Sequence, residues 1–432
     1  MPRIQAIRGT RDLLGKELAR WRYLEERVRR VAERSGYEEI RTPLFESTDL
    51  FSRSIGADTD IVQKEMYTFA DRKGRSLTLR PEGTASVVRA FLENNLAREK
   101  PIAKFYYIGP MFRYERPQKG RFRQFHQFGT EVLGPEDPFY DAETIAVFHQ
   151  VLRSVGLCDL TVRLGSVGDE ACRPAYVERL SVYLRERRES LSEISRERLE
   201  RNPLRVLDSK EEEDRAVLRG VPSIIDDLCG SCKKHLDEVR RALERAGIPH
   251  ELDAGLVRGL DYYTRTVYEI HHDRLGAQSA LGGGGRYDRL VEDLGGPRTA
   301  GVGFSAGMER IVSVAEDLAI PWDEPRALRI LVAPLSGADE ERVFPVLLRL
   351  RERWWADGSE RARNLKTVLK QANRVGADLL VLLGGEEGGP GSVTIKRLDT
   401  GEQEGVPLDR LESRIDEIAA GLLEGGAEGE SG

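Results

Sequence analysis

Residues 113–131 read RYERPQKGRFRQFHQFGTE. Aromatic residues alternate with polar ones on both sides of Pro117 and Gly120, and this pattern predicts two antiparallel strands joined by a loop. A guanidinium can bind phosphate oxygens in pairs, so the loop is a candidate polyphosphate site. A solvated, positively charged hairpin tip explains the composition equally well. The five cations within eleven residues are Arg113, Arg116, Lys119, Arg121 and Arg123.

The returning arm of this hairpin places an aromatic ring, an amide and a carboxylate on one face. Because side chains alternate along a strand, Phe125, Gln127, Gly129 and Glu131 share a face. A carboxylate there is more useful as a ligand contact than as packing, and the ring of Phe122 or of Phe125 offers a surface to a base.

A second segment, LVRGLDYYTR at residues 256–265, surrounds Arg258 with apolar and aromatic residues. Strand signals run from Val257 to Ile270, so we expect Arg258 to lie in a half-buried strand. Such a guanidinium must pair with a carboxylate or face an anionic ligand. A structural ion pair is the plainer alternative.

Other segments predict the elements around these two. Apolar residues at helical spacing predict a helix over residues 18–31, followed by a short strand that ends at Pro43. Residues 77–80 read as a strand that leads into a helix containing Val87 and Phe91. Glu82 lies at that junction, where it complements the helix dipole or faces a ligand amine.

The run GGGG at residues 282–285 lets the backbone approach a ligand closely, although a flexible turn is the commoner meaning of such a run. It is not a phosphate-binding loop of the Gly-Lys-Ser/Thr type. The glycines at 301, 303 and 307 miss the spacing of a dinucleotide-binding loop by one residue.

Composition describes a soluble protein of two or three domains. The chain has 432 residues, a formal net charge of −6 and 32% charged residues. No apolar run reaches the roughly 20 residues of a membrane helix, and the amino terminus lacks the apolar core of a signal peptide. Four cysteines in so long a chain agree with a reducing compartment. We therefore expect a cytoplasmic protein with no membrane partner.

Cys229, Cys232 and His235 form a Cys-x-x-Cys-x-x-His pattern that is suggestive of zinc. A complete site needs four ligands, and Cys158 and Cys172 show no matching pattern. Placement of all three residues on one helix explains the spacing. No complete protein-only metal site is predicted.

Changes of composition along the chain indicate its organisation. Residues 170–245 are charge-dense and helix-forming, with an interruption at Asn202-Pro203, and from Leu328 strands alternate with helices. The predicted parts are a core at 1–169 and 246–322, a helical insertion at 170–245, a small α/β domain at 326–423, and a disordered tail at 424–432.

Taken together, these segments resemble the histidyl-tRNA synthetase family of class II aminoacyl-tRNA synthetases. The resemblance implies an α+β fold with an antiparallel catalytic sheet, a helical insertion, a carboxy-terminal α/β anticodon-binding domain, and a homodimer. Thr42-Pro43 resembles motif 1, residues 112–131 motif 2, and residues 301–310 motif 3. Residues 256–264 and 279–288 are similar to histidine-specific signatures.

The resemblance also implies an activity. L-histidine and ATP give histidyl-adenylate, and the acyl group then passes to histidine tRNA, with Mg²⁺ bridging the phosphates. Arg113 and Arg258 are implied to be catalytic. The implied histidine-binding residues are Glu82, Thr84, Arg113, Gln127, Glu131, Arg258, Tyr262, Tyr263 and Tyr287. The implied ATP-binding residues are Arg113, Arg121, Phe125 and Arg310.

The chain departs from the family pattern after Gly358. The family usually has another strand before its Leu-Lys helix, whereas here residues 359–363 lead almost directly to Asn364-Leu365-Lys366, so that strand is expected to be shortened or lost. A non-catalytic, synthetase-like regulatory subunit of histidine biosynthesis is the alternative function. Such proteins typically lack the carboxy-terminal domain.

Overall fold

The computed structural model describes residues 3–56, 59–115, 122–209, 211–278, 280–322, 328–359, 361–385 and 388–427. It divides into two compact units, Met1–Trp322 and Asp323–Gly432. Among the described helices, none combines the length and the apolar composition that crossing a membrane requires.

Twelve α-helices are described in the first unit. They are α1 (Gly15–Arg34), α2 (Thr48–Ile55), α3 (Thr84–Glu93), α4 (Leu96–Glu99), α5 (Phe139–Ser154), α6 (Arg173–Glu186), α7 (Glu193–Arg201), α8 (Asp214–Leu218), α9 (Ile224–Asp227), α10 (Gly230–Arg245), α11 (Leu290–Asp293) and α12 (Met308–Asp317).

Its strands form two sheets, one of eight strands and one of three. The large sheet has the order β1-β5-β6-β11-β10-β9-β7-β8, in which only the outermost pairs β1/β5 and β7/β8 are parallel. The small sheet has the order β2-β4-β3. The strands are β1 (Glu38–Glu39), β2 (Phe45–Ser47), β3 (Tyr67–Ala70), β4 (Ser76–Leu79), β5 (Ala103–Phe112), β6 (Gln124–Gly134), β7 (Leu160–Ser166), β8 (His250–Leu252), β9 (Thr264–His272), β10 (Ala280–Arg286) and β11 (Ala300–Gly307).

Alternation along the central strands divides the large sheet into two faces. Phe128 and Phe304 belong to one buried cluster with α1, α5 and α12, which cover that face. Tyr107 belongs to a second cluster with α3 and the tyrosines around position 262. The predicted antiparallel core is therefore confirmed, with α1, α5 and α12 on one face and α3 beside polar and aromatic residues on the other.

The predicted hairpin is confirmed in its two arms. β5 and β6 pair antiparallel, with Tyr107 opposite Gly129 and Met111 opposite Phe125. The predicted helix before Gly36 is α1, and the strand and helix around Glu82 are β4 and α3. Residues 116–121 of the cationic loop, including Arg121, lie outside the described residues.

The predicted strand around Arg258 is wrong. Residues 253–263 form turns and irregular backbone, and the strand begins only at Thr264. Asp261 donates its backbone N–H to the carbonyl of Ile55 at 3.2 Å, so this segment packs against the end of α2 instead of joining a ladder. A short apolar run with glycines at 255 and 259 does not distinguish a strand from a packed loop. The run at 282–285, by contrast, is not a turn but part of β10.

The helical segment after β7 has a small buried cluster of its own. The cluster includes Tyr176, Leu180, Leu199 and Val217, which come from α6, α7 and α8. The last helix behaves differently, because Leu236, Val239 and Leu243 of α10 belong to the main core. The predicted limits of an insertion at 170–245 stay a prediction.

The second unit is a small α/β domain. Its strands have the order β13-β12-β14-β15-β16, and its buried residues lie on both faces of the interior strands β12 and β14. Its elements are β12 (Arg329–Pro334), α13 (Glu340–Arg351), β13 (Trp355–Gly358), α14 (Leu365–Val375), β14 (Leu379–Gly385), β15 (Gly388–Arg397), β16 (Gln403–Pro407) and α15 (Leu411–Ala427).

One expectation about this unit needs correction, and another agrees with the structure. The described residues between Gly358 and Leu365 form no strand, in line with the strand expected there to be shortened or lost. The strand before them is β13, whose four residues pair in parallel with β12. The sequence Trp-Ala-Asp-Gly has a weak strand pattern, and the backbone hydrogen bonds to the buried strand β12 stabilise β13. The tail predicted to be disordered from residue 424 is helical as far as Ala427, and residues 428–432 lie outside the described part.

Candidate active site

Glu82 lies at the start of α3, on the open face of the large sheet. Its Oε2 accepts the backbone N–H of Thr84 at 2.7 Å, and its Oε1 accepts that of Ala85 at 2.8 Å. Burial raises the pKa of Glu82, while these backbone bonds and the charge of Arg113 oppose the rise. The carboxylate thus satisfies the helix terminus, and each oxygen keeps a further lone pair for a ligand amine.

Glu131 on β6 is the most unusual acid of this face. It is 1% exposed, Oε1 accepts the hydroxyl of Thr84 at 2.7 Å, and Oε2 accepts the hydroxyl of Tyr287. Burial raises the pKa of Glu131 to about 8, although both hydroxyl bonds lower it. Near neutral pH the free site therefore holds this carboxyl largely as the neutral acid.

Tyrosines surround the Glu131 carboxyl. The Tyr262 ring centroid lies 4.7 Å from that of Tyr263 and 5.7 Å from that of Tyr287. Burial raises the pKa of Tyr107, and the charges of Glu131 and Glu82 raise it further. These residues form a polar and aromatic pocket wall on the sheet face opposite the main core.

Several buried polar atoms at this face lack partners within the described portion of the chain. They are the hydroxyl of Tyr107, Oε1 of Gln127 and Nε of Arg258. A buried polar group without a partner costs about 1–3 kcal/mol, so native proteins seldom keep several together unless a ligand or water completes them. The gap in hydrogen bonding indicates a polar ligand.

Arg258 reaches this face from the irregular segment before β9. Its Nη1 donates to Oε1 of Glu269 at 2.5 Å, and Oε2 of Glu269 lies 3.1 Å from Nε2 of His271. The Arg258 side chain is 20% exposed. The ion pair that was the plainer expectation therefore exists, and Tyr263 is a second side-chain partner of the guanidinium, while Nε of Arg258 is directed at no described acceptor.

The other expected phosphate-binding residues lie at the hairpin and at α12. Nε of Arg113 donates to the carbonyl of Pro81 at 2.9 Å, next to Glu82, and its guanidinium carbon lies 5.4 Å from the Phe125 ring centroid. Arg310 is in the first turn of α12, which follows directly after the Gly307–Gln127 strand pair. Burial lowers the pKa of Arg310, and the charge of Asp317 opposes this.

A fully buried ion pair fixes the strand that carries Tyr287. Arg286 and Asp141 have side chains with 0% exposure, and Nε of Arg286 lies 3.1 Å from both carboxylate oxygens. Nε2 of His235 on α10 lies 3.1 Å from Oδ1 of Asp141. Burial alone would raise the pKa of Asp141, but the Arg286 charge lowers it to about 2. The pair holds β10, α5 and α10 together behind the pocket.

Two residues of this arrangement were missed by sequence reasoning. Tyr107 pairs with Gly129 in the β5–β6 ladder. A tyrosine opposite a glycine could have indicated that the tyrosine ring lies over the neighbouring strand. Glu269 was not recognised as the partner of Arg258, because the two lie eleven residues apart across an irregular segment. Strand alternation in Tyr268-Glu269-Ile270 nevertheless predicts that the Glu269 side chain points away from the core, because the apolar residues on both sides of it point inward.

Glycines in the sheet make room for the pocket side chains. A Cβ atom on Gly303 would lie 2.0 Å from Oε2 of Glu131, and one on Gly283 would lie 2.9 Å from Nη1 of Arg258. Both positions need the absence of a side chain, because the carboxyl and the guanidinium lie across the backbone of the neighbouring strand. The glycine run at 282–285 therefore permits a close approach to the backbone, as one of its two interpretations held. The group that approaches is the Arg258 side chain of the same chain.

Gly303→Ala is expected to displace the Glu131 carboxyl. Overpacking of this kind destabilises by about 1–3 kcal/mol, and a displacement of about 1 Å at a site can lower turnover 10²-fold. We expect the thermal midpoint to fall and kcat/KM to fall at least tenfold. Gly307→Ala is the control, since a Cβ there meets nothing within 4 Å. Equal behaviour of the two variants would contradict the packing argument.

The raised pKa of Glu131 predicts a pH dependence of stability. The pKa rises from its ordinary value of 4.5 to about 8 on folding, so the folded chain binds more protons than the unfolded chain between these values. Stability therefore falls as pH rises through this window. Glu131→Gln imitates the neutral acid and removes the titration. Thermal midpoints of both proteins from pH 5 to 9 should show the parent losing stability relative to the variant, and a constant difference would contradict the assignment.

Comparison with known families agrees with the resemblance seen in the sequence. A family model described as Histidyl-tRNA synthetase matches residues 9–311, and one described as Anticodon binding domain matches residues 329–418. The first match alone covers more than half of the 432-residue chain. Both the sheet face and the small α/β unit thus fall within matched regions.

Curated relatives and a solved structure match nearly the whole chain. Histidine–tRNA ligase from Moorella thermoacetica is 49% identical over 93% of this chain and 95% of its own length. The enzyme of the same name from Thermus thermophilus is 48% identical over 94% and 97%. The crystal structure of apo Staphylococcus aureus histidyl-tRNA synthetase superposes with a TM-score of 0.80 at 36% identity, covering 95% and 98%.

Proposed function

The chain belongs to the histidyl-tRNA synthetase family and is an aminoacyl-tRNA ligase for histidine, and we propose the following division of work among its residues. The observation that carries the proposal is the buried Glu131 carboxyl, bonded to the hydroxyls of Thr84 and Tyr287 in a tyrosine-lined pocket beside polar atoms that lack described partners. A pocket of this kind suits an imidazole, which carries both a donor and an acceptor nitrogen.

Histidine binds with its two ends on different residues. Glu82, Thr84 and Gln127 hold the α-amino group, and the Oε1 of Gln127 that lacks a partner accepts one of its protons. Glu131 and Tyr263 contact the ring nitrogens, with Tyr262 and Tyr287 closing the wall. A side chain that left these groups unpaired would be rejected by roughly 10⁴-fold or more. Selection of histidine is therefore built on hydrogen bonding rather than on size.

In the first step, a carboxylate oxygen of histidine attacks the α-phosphorus of ATP. The bond between the α-phosphorus and the bridging oxygen breaks, and pyrophosphate leaves with the electron pair. No general base is needed, because the attacking carboxylate is already ionised. Arg113 and Arg258 bracket the α-phosphate and stabilise the charge that develops there.

The rest of ATP is held by residues from the hairpin and α12. Arg121 and Arg310 bind the distal phosphates, and the adenine stacks on Phe125. Mg²⁺ would accompany ATP as part of the substrate and would offset the charge of its phosphates, and we assign it no protein-only site.

In the second step, a ribose hydroxyl of the terminal adenosine of histidine tRNA attacks the acyl carbonyl, and AMP leaves. The second unit is an anticodon-binding domain and contacts the far end of that tRNA. The reaction belongs in the cytoplasm, where free cysteines such as the exposed Cys158 persist.

We assign a homodimer to the small sheet of the first unit. Phe45 of β2 and Phe69 of β3 are 52% and 45% exposed, and Leu44, just before β2, is 43% exposed. An apolar surface on short edge strands indicates a covered interface. Phe45→Glu should shift the mass measured by light scattering toward the monomer, while Phe139→Glu on α5, exposed to 58%, serves as the control.

Amino-acid-dependent ATP–pyrophosphate exchange with each of the twenty standard amino acids tests the proposal. We expect exchange with histidine alone and, in a second assay, transfer of histidine to histidine tRNA. Exchange with another amino acid would overturn the pocket assignment. Histidine binding without exchange would favour the regulatory alternative.

A further inference from the structure

Four metal-ligating side chains converge outside the proposed histidine and ATP sites. The ligand atoms of Asp169, Cys172, Cys229 and Cys232 all lie within 4.8 Å of one another. The Sγ atoms of Cys172 and Cys232 are 3.8 Å apart, and Oδ1 of Asp169 lies 3.4 Å from Sγ of Cys172 and 3.8 Å from Sγ of Cys229. Bonds of about 2.3 Å to sulfur and about 2.0 Å to oxygen place the ligands of tetrahedral zinc about 3.5–3.8 Å apart. These three distances lie within about 0.3 Å of the tetrahedral values, and the remaining three are no longer than 4.8 Å.

Local structure holds the four ligands as two pairs, each with a spacing of three residues. Cys172 is the N-cap residue of α6, and Cys229 is the N-cap residue of α10. The backbone N–H of Asp169 donates to Sγ of Cys172 at 3.4 Å, as outer-shell groups do for metal-bound ligands. A Cβ atom on Gly168, whose φ is +65°, would lie 2.8 Å from that sulfur. The turn is therefore shaped around the Cys172 thiol.

We propose that Asp169, Cys172, Cys229 and Cys232 bind one structural Zn²⁺ ion. Zinc accepts both thiolate sulfur and carboxylate oxygen and favours four-coordinate sites without an open position. The His235 of the Cys-x-x-Cys-x-x-His pattern is not a ligand, because it is buried against Asp141. The fourth ligand comes instead from Asp169, a residue that no cysteine pattern could identify. This site replaces the expectation that the chain holds no protein-only metal site.

Bound metal would tie together two places that are distant in the chain. Cys172 and Cys232 are 60 residues apart, and their helices begin side by side at the site. The clamp also reaches the pocket, because Nη2 of Arg265 lies 3.6 Å from Oδ2 of Asp169 and Arg173 donates to the carbonyl of Tyr263. Arg265 has a φ of +50°, a strained value at the bulge that follows Tyr263. Zinc thus supports the backbone that positions Tyr263.

Metal content and thiol protection test the proposal directly. The full-length protein, produced without a polyhistidine tag in zinc-supplemented medium and kept reduced, should contain one zinc per chain by elemental mass spectrometry. A thiol reagent should modify one cysteine, the exposed Cys158, before chelation and all four after EDTA treatment. Co²⁺ added to the chelated protein should give thiolate-to-metal charge-transfer absorption. Absence of zinc together with absence of that absorption would overturn the proposal.

Variants separate a metal site from a cluster of packed thiols. Asp169→Asn keeps the shape of the side chain and should weaken zinc binding by more than the roughly 10- to 100-fold lost with an outer-shell partner. Cys172→Ser and Cys229→Ser should lose zinc, and Cys158→Ser, outside the cluster, should keep it. If the serine variants do not fold, Asp169→Asn and the Co²⁺ spectrum of the parent decide. A Cys172–Cys232 disulfide in freshly isolated protein, found by peptide mass spectrometry, would refute zinc in favour of a redox pair.

Discussion

Arg258→Ala is expected to lower kcat for histidine-dependent pyrophosphate exchange by about 10²-fold or more. This is the effect of removing one preorganised donor from the charge that develops in a transition state. In the free enzyme, the Arg258 guanidinium has Glu269 and Tyr263 as side-chain partners, and its Nε has no described acceptor. We infer that the Nε–H group faces the α-phosphate. Exchange should be measured at saturating histidine and ATP, so that the loss appears in kcat.

The Glu269 pairing supplies the control for this prediction. Glu269→Gln removes the charge partner and leaves the guanidinium in place, so we expect a loss of under about tenfold. Arg163→Ala removes a guanidinium whose side chain is 44% exposed, 3.7 Å from Asp253, and should leave exchange unchanged. If Arg258 were only the structural partner of Glu269, Arg258→Ala and Glu269→Gln would lose activity equally and in step with their thermal midpoints.

Arg286→Met is expected to destabilise the first unit by about 3–5 kcal/mol, the effect of removing one partner of a buried ion pair. The Asp141 carboxylate has no exposed surface, and Arg286 and His235 are its described ionisable partners. Without the arginine, only His235 would remain. Since the neighbouring Tyr287 belongs to the pocket, histidine binding should weaken in parallel. Urea unfolding followed by tyrosine and tryptophan fluorescence measures the change.

Two further variants distinguish an unpaired charge from lost packing. The double variant Arg286→Met with Asp141→Leu removes both charges and should recover much of the stability, because apolar replacement of a whole buried pair is often neutral. Arg240→Ala breaks an exposed pair, 3.3 Å from Glu244 with the arginine 38% exposed, and should cost less than about 1 kcal/mol. A double variant that is less stable than Arg286→Met would contradict the charge argument.

Much of the catalytic sheet could be predicted from the sequence, because its signals are local. The aromatic alternation on both sides of Pro117 and Gly120 indicated β5 and β6, and the face shared by Gln127 and Glu131 followed from strand periodicity alone. The helix before Gly36 followed from the spacing of residues such as Trp21 and Val28, which are buried. In each case the prediction followed from the spacing of apolar residues, which repeats every two residues in a strand and every three or four in a helix.

What could not be predicted depends on contacts between distant segments. Arg258 lies in a loop because its neighbourhood packs against the end of α2, about 200 residues earlier in the chain. Asp169 joins three cysteines only because two turns meet in space. The raised pKa of Glu131 arises from burial, which the strand pattern does not reveal. Residue types in the sequence indicated which groups could bind a ligand. Their pKa values and their partners depend on contacts that only the folded chain makes.

The meeting of the two turns at Cys172 and Cys232 also bears on how such a protein can evolve. Chain that leaves and returns at one point, with sulfurs 3.8 Å apart, can be lengthened, trimmed or exchanged between relatives without moving the strands on either side. Chain can therefore be added or removed between Cys172 and Cys229 while the strands that carry Glu131 and Tyr287 keep their places.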